Sequence, residues 1–281
     1  MIQEVCKNIK FVGCDDPELR LFEGQYVTPE GMCYNSYVIL DDQIAIMDTI
    51  DPRCQEEWAA KVEKALDGRQ PDYLVVHHME PDHAGSIARL LNTYPNVKVV
   101  CSAMAQKMLK QFNEDLDLTD RVQAVKEGDT LSLGHCTLQF IAAPSVHWPE
   151  VMMSYVPEEQ VLFSADGFGK FGVYDADADD WACEARRYYF NICGKYGVQV
   201  AKALGKVAAL SGVKAICPLH GPVLKDEAMQ EALRLYNIWA HYEVETPGVF
   251  IAYASAHGGT AAAAEKMREL LLERGCPKVA I

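Results

Sequence analysis

The sequence has no uninterrupted apolar stretch near the ~18 residues of a membrane-spanning helix, so nothing in it leads into a lipid bilayer. Its opening, Met1-Ile2-Gln3-Glu4-Val5, lacks the basic-then-apolar pattern of a secretory signal. Basic residues are scarce: 26 Lys and Arg stand against 40 Asp and Glu, a formal net charge of -14. With no basic stripe to offset that charge, long-range repulsion opposes nucleic acid and anionic lipid, leaving small molecules and proteins as partners. The ten cysteines include no Cys-x-x-Cys pair, which speaks against a zinc knuckle or an iron–sulfur cluster. They read as reduced thiols of a cytoplasmic protein. Low-complexity tracts are also missing, and 49% apolar with 23% charged residues describes an ordinary globular chain.

Within that ordinary composition one stretch is unusual: Val75-Val76-His77-His78-Met79-Glu80-Pro81-Asp82-His83-Ala84-Gly85-Ser86. The apolar run from Tyr73 to Val76 predicts a buried strand, and Ile87 to Tyr94 has helical spacing. His78, Glu80, Asp82 and His83 therefore crowd a strand-to-helix turn. Two imidazoles and two carboxylates would cost self-repulsion and desolvation if buried alone, whereas divalent cations neutralise and bind them all. Asp82 as a helix cap and histidines bonded to carbonyls are the structural alternative. The neighbouring His77 reads as a satisfied core residue or one that supports the ligands from behind, His135 as a hairpin-turn residue and His241 as structural.

Strands and helices alternate along the rest of the chain. Residues 32 to 40 and 44 to 50 predict two strands around the turn Asp41-Asp42-Gln43. Trp58, Val62 and Leu66 mark an amphipathic helix over 54 to 67, ended by Gly68. Further strands are expected at 97 to 101, 130 to 133, 136 to 142, 151 to 155, 161 to 164 and 213 to 217, with helices at 103 to 112, 181 to 210 and 226 to 243. Three of these strands run into potential ligands: His147 in Ser145-Val146-His147-Trp148-Pro149-Glu150, Asp166 in Ala165-Asp166-Gly167, and His220 in Pro218-Leu219-His220-Gly221-Pro222. The acidic pairs Glu56-Glu57 and Asp179-Asp180 read as solvated faces.

Thr246-Pro247-Gly248 predicts a boundary between a domain of residues 1–246 and a unit of residues 247–281. In the second unit a buried-type strand over 249 to 253 leads through Ser255-Ala256-His257-Gly258-Gly259-Thr260 into a helix over 261 to 274. A second strand would be beginning where the sequence stops, at Ile281.

Seven strand-end residues are too many for one metal and suit two. The pattern His78-x-Glu80-x-Asp82-His83, with His147, Asp166 and His220, resembles the metallo-β-lactamase fold carrying the ligand set of the flavodiiron proteins. Tyr34-Asn35-Ser36-Tyr37, His147-Trp148-Pro149, residues 162–169 and residues 218–222 share the likeness, which covers essentially the whole chain. It implies an α/β (α+β) protein: a metallo-β-lactamase-like αββα sandwich followed by a βα fragment of a flavodoxin-like domain. It further implies that His78, Glu80 and His147 bind one iron, that Asp82, His83 and His220 bind the other, and that Asp166 bridges them.

Hydrolytic members of the superfamily typically carry histidine where this chain has Glu80. The added charge and hard oxygen favour iron or manganese over zinc. The implied activity is reduction of O2 to water, of NO to N2O, or of both, with electrons delivered through FMN from a rubredoxin-like donor or coenzyme F420. Ser255, His257, Gly258 and Thr260 fall on the loop that would cradle FMN phosphate, given a complete flavodoxin-like domain. The family pattern also implies a head-to-tail homodimer. A zinc hydrolase of the same fold and a non-catalytic O2- or NO-binding sensor are the competing readings.

Overall fold

The computed structural model describes residues 2–176 and 180–281, so Asp179 lies outside it, while Glu56, Glu57 and Asp180 are exposed. The chain divides into two compact units, Met1–His241 and Tyr242–Ile281.

The first unit is built on two sheets. One has seven strands, in the spatial order Gln3–Cys6, Ile9–Phe11, Tyr37–Leu40, Ile44–Met47, Tyr73–Val76, Lys98–Ser102 and Val122–Val125. The other has six: Thr130–Ser132, Thr137–Ala142, Met152–Val156, Val161–Phe163, Ala215–Cys217 and Leu224–Lys225. Because side chains alternate across a strand, a sheet covered on both faces needs apolar residues at every position. Tyr73–Val76 shows this pattern: Val75 packs into the layer between the sheets with Phe140 and Phe163, whereas Leu74 and Val76 join the outer layer with Trp58, Val62 and Leu90 of the helices. The result is the expected helix–sheet–sheet–helix sandwich.

Helix Gln55–Leu66 buries Trp58, Val62, Ala65 and Leu66, one face of a 3.6-residue repeat. It ends where Asp67 and Gly68 turn left-handed, at φ 49° and 81°. Two predicted elements are divided. Residues 32–40 form two strands, Met32–Tyr34 pairing with Cys14–Asp16 and Tyr37–Leu40 entering the large sheet. Between them Asn35 donates its N–H to Leu219 O at 2.8 Å, which takes it out of either ladder. The helical stretch 181 to 210 is likewise two helices, Trp181–Ile192 and Gly197–Ala208, separated by a 3-10 turn.

The second unit pairs Val249–Phe250 in parallel with Val279–Ala280 beside helix Gly259–Glu273. Its first strand is short and open to solvent, with Phe250 73% exposed, which corrects the buried-type strand expected over 249 to 253.

Candidate metal centre

Strand direction explains why the seven residues meet. Val161–Phe163 and Ala215–Cys217 run parallel, so Asp166 and His220 leave the sheet at the same edge. Thr137–Ala142 is antiparallel to Met152–Val156, which is antiparallel to Val161–Phe163, so the loop carrying His147 opens there too. In the other sheet Tyr73–Val76 ends at His77, whose carbonyl accepts Met152 N–H at 3.1 Å and joins the two sheets at this edge. Glu80 then occupies the position just before the short helix Pro81–Ala84, without a side-chain capping bond, and that helix presents Asp82 and His83.

All seven residues converge, and they do so as two groups. His78, Glu80, His147 and Asp166 each offer a donor atom within one cluster, and Asp82, His83 and His220 form a second, with atoms in each group within 4.8 Å of one another. In the first, His147 Nε2 lies 3.1 Å from Glu80 Oε2, 3.0 Å from Asp166 Oδ2 and 3.3 Å from His78 Nε2. In the second, His83 Nε2 lies 3.1 Å from His220 Nε2, and both nitrogens stand 3.3 Å from Asp82 Oδ2. Asp166 reaches the second group with its other oxygen, Oδ1, at 3.3 Å from His83 Nε2. All seven are at least nine-tenths buried.

The donor chemistry fits a pair of cations. Donor atoms held about 2.1 Å from a shared cation are separated by roughly 3.0–3.4 Å, close to the distances here. His220 Nδ1 donates to the carbonyl of Cys33 at 2.7 Å, so in the neutral ring Nε2 carries a lone pair aimed at the site. The same holds for His78, whose Nδ1 is held by Glu150 Oε1 at 2.8 Å. Asp82 Oδ1 and Oδ2 and Asp166 Oδ1 are buried without a hydrogen-bond partner among the described residues, a costly condition that a cation relieves.

Electrostatics points the same way. Burial opposes a charged His78, but the Asp166 charge and the hydrogen bonds to Glu150 and Glu80 outweigh it and hold its pKa well above the ordinary imidazole value. His147, likewise buried but bonded to Asp166 and Glu80, is pushed up to about 9. Asp166 is held far below the usual carboxylate range: the surrounding histidines overcome its desolvation. Asp166 and Glu80 therefore stay ionised and draw positive charge to the cluster.

Several functional neighbours were not legible in the sequence. Glu150 Oε1 accepts from both His78 Nδ1 and Met79 N–H, the latter at 2.9 Å. It sits three residues after His147, and a carboxylate so placed in a ligand loop was the available signal. Asp48 accepts His77 N–H at 2.7 Å and bonds His77 Nδ1 at 2.5 Å, while His77 Nε2 meets Ser154 Oγ at 2.8 Å. This Asp48, His77, Ser154 series has the order of a hydrolase triad, yet Ser154 and His77 are 0% and 1% exposed, so no substrate reaches the hydroxyl. His77 is a satisfied core residue, as expected.

Tyr188 packs its ring 5.5 Å from that of His220. Its buried hydroxyl has no hydrogen-bond partner among the described residues. Burial, then the charges of Asp166 and Glu80, raise its pKa well above the ordinary phenol value, which keeps the proton on it. A cavity of about 300 Å³ opens onto Glu80 and Asp82 between Phe22, Glu23, Tyr34 and Arg53.

Residues 32–221 match the family model described as ODP family beta lactamase. A curated nitric oxide reductase of Moorella thermoacetica is 33% identical over 280 residues, covering 97% of this chain and 69% of the relative. A rubredoxin-oxygen oxidoreductase of Megalodesulfovibrio gigas is 31% identical, with coverages of 97% and 69%. The solved flavodiiron protein of Giardia intestinalis superposes with a TM-score of 0.91 at 29% identity, over 100% of this chain and 69% of that one.

The chain belongs to the flavodiiron protein family.

Its sandwich is accordingly the metallo-β-lactamase-like fold of that family. In the second unit, Gly258 adopts φ 83° at the N-cap of helix Gly259–Glu273 and Thr260 lies in that helix's first turn. His257, Gly258 and Thr260 are exposed, and Ser255 is half-buried, its hydroxyl without a hydrogen-bond partner among the described residues. Among the described residues no helix is long and apolar enough to cross a membrane.

Proposed function

We propose that the chain reduces O2 to water, NO to N2O, or both, at two iron ions held by the seven residues. His78, Glu80 and His147 hold one ion, Asp82, His83 and His220 the other, and Asp166 lies between them. The observation that carries this reading is Asp166 itself, a buried carboxylate with one oxygen directed to each group, at 3.0 Å from His147 and 3.3 Å from His83. The names of the relatives, nitric oxide reductase and rubredoxin-oxygen oxidoreductase, support the reaction class. Glu80 supports iron over zinc through its hard, charged oxygen, which disfavours the hydrolase reading.

Iron held there would bind the diatomic molecule and supply electrons to it. The protein's own groups confine and protonate. Only Glu80, Asp82 and His147 reach 8–9% exposure, so solvent meets the ligand set at one side. Phe22, Tyr34 and Tyr188 pack their rings against His220 and keep bulk water from it. Reduction of either gas consumes protons, and Tyr188, whose ring packs 5.5 Å from that of His220 and whose hydroxyl has no hydrogen-bond partner among the described residues, is the candidate to supply one.

Electrons come from a rubredoxin-like or other donor through FMN, with Ser255, His257, Gly258 and Thr260 contributing to the phosphate loop of a complete flavodoxin-like domain. A head-to-tail homodimer would bring that flavin to the diiron site of its partner. A reducing cytoplasm suits the ten free cysteines. Anaerobic reconstitution with ferrous iron, followed by metal analysis and by O2 consumption and N2O production with a chemical reductant, tests the proposal. Close to two irons per chain and gas reduction are expected. Selective zinc uptake from an equal mixture, with hydrolysis and no gas reduction, would refute it.

A further inference from the structure

The two donor groups are supported unequally from behind. In the four-residue group the His78 imidazole donates to a buried carboxylate, Glu150 Oε1, at 2.8 Å. That oxygen is fixed by Met79 N–H at 2.9 Å, and the adjoining backbone is fixed by Asp48, which accepts His77 N–H at 2.7 Å. In the three-residue group the corresponding acceptor is neutral: His220 Nδ1 donates to the Cys33 carbonyl at 2.7 Å. There, His83 Nδ1 and both oxygens of Asp82 are buried with no hydrogen-bond partner among the described residues.

A carboxylate behind a ligating imidazole raises the basicity of its far nitrogen, fixes the ring and adds a negative charge nearby. A carbonyl fixes the ring but adds no charge, and an unpartnered imidazole is not fixed through its second nitrogen at all. Loss of such an outer partner typically costs about 10–100-fold in metal affinity. The imbalance is reinforced by burial, because Glu150 is 2% exposed and its charge is weakly screened.

We propose that the two positions load in a fixed order. The first divalent cation takes the group of His78, Glu80, His147 and Asp166, and the group of Asp82, His83 and His220 fills second and empties first, because Glu150 backs only the former. This rests on the two-metal reading of the seven residues. It deepens that reading by making one position the resident metal site and the other the exchangeable one.

The test titrates the metal-free full chain with Co²⁺ under anaerobic conditions, following the cobalt absorption bands. Crystals grown at one equivalent are then examined by anomalous diffraction at the cobalt edge. Two binding steps separated by at least about tenfold are expected, with the half-loaded crystal showing cobalt in the four-residue group. Glu150→Gln should narrow the separation to less than about threefold by weakening the first step. Should that variant misfold by circular dichroism, the half-loaded wild-type crystal decides alone.

Equal cobalt in both groups, cobalt in the three-residue group alone, or a separation unchanged in a folded Glu150→Gln protein would overturn the order while leaving two metals bound. A wild-type chain that binds no cobalt at either group would instead overturn the two-metal reading, and the order with it.

Discussion

The side-chain amide of Asn35 donates to the backbone carbonyl of Gly221 at 2.7 Å, tying the segment ahead of strand Tyr37–Leu40 to the loop that presents His220. The same amide also holds Pro218 O at 2.8 Å, where Tyr37 Oη donates a third bond at 2.7 Å. Gly221 must turn left-handed here, at φ 79°, and a Cβ on it would stand 2.6 Å from Lys170 Cγ. His220 is thus aimed by a clamp from a distant segment.

Asn35→Ala removes two of these bonds; Pro218 O keeps its Tyr37 Oη donor, whereas Gly221 O loses its Asn35 donor, a cost of about 1–3 kcal/mol for that buried group. The variant should fold with a lower urea midpoint and lose metal chiefly from the His220 group, which metal analysis and denaturation read separately. Full retention of both metals would mean that the clamp does not aim the ligand.

Asp166 is the other residue whose loss discriminates. Asp166→Ala removes an oxygen from each group, so both metals should weaken together, by more than the about 10–100-fold of an outer-partner change. His220→Ala should empty mainly one position. A titration in which Asp166→Ala kept two tight sites would exclude the shared carboxylate.

How much of this was readable beforehand follows from where the information lies. His78, Glu80, Asp82 and His83 are local in sequence, and an apolar run before them announces the strand end. His147, Asp166 and His220 each follow their own apolar strand, so the edge they share was legible once the strands were. Glu150, Asp48, Asn35 and Tyr188 act through partners 29 or more residues away, such as Asp48 on His77, and no local period encodes such a pairing. The break of residues 32–40 into two strands has the same origin, since the competing partner of Asn35 is Leu219. The short N-terminal strands Gln3–Cys6 and Ile9–Phe11 offered too few alternations to be recognised. Val249–Phe250 misled for a different reason: its apolar residues match a buried strand, but burial depends on neighbours.

Metal affinity should rise with pH. In the metal-free protein His78 and His83 have raised pKa values and His147 is pushed up to about 9, so protons occupy the nitrogens that a cation needs. Each imidazole that must deprotonate makes affinity climb about tenfold per pH unit below its own pKa. Titration calorimetry in buffers of different ionisation enthalpy should therefore find proton release on metal binding near neutral pH, with affinity increasing from pH 6 to pH 8. Binding independent of pH over that interval would mean that the imidazoles are already neutral.

Tyr188 decides whether the protein supplies a proton or only a pocket. Its hydroxyl is buried and unpartnered, its ring packs 5.5 Å from that of His220, and burial with nearby carboxylates keeps it protonated. Tyr188→Phe preserves the ring packing and removes only the donor, so iron content and thermal stability should hold or improve. Gas reduction should slow by about 100-fold, the lower end of what a positioned general acid contributes. The residual rate should then fall with rising pH as solvent protons become limiting. A packing role alone would leave both the rate and its pH profile unchanged in the Phe variant, so measuring the two together separates the functions of the ring and the hydroxyl.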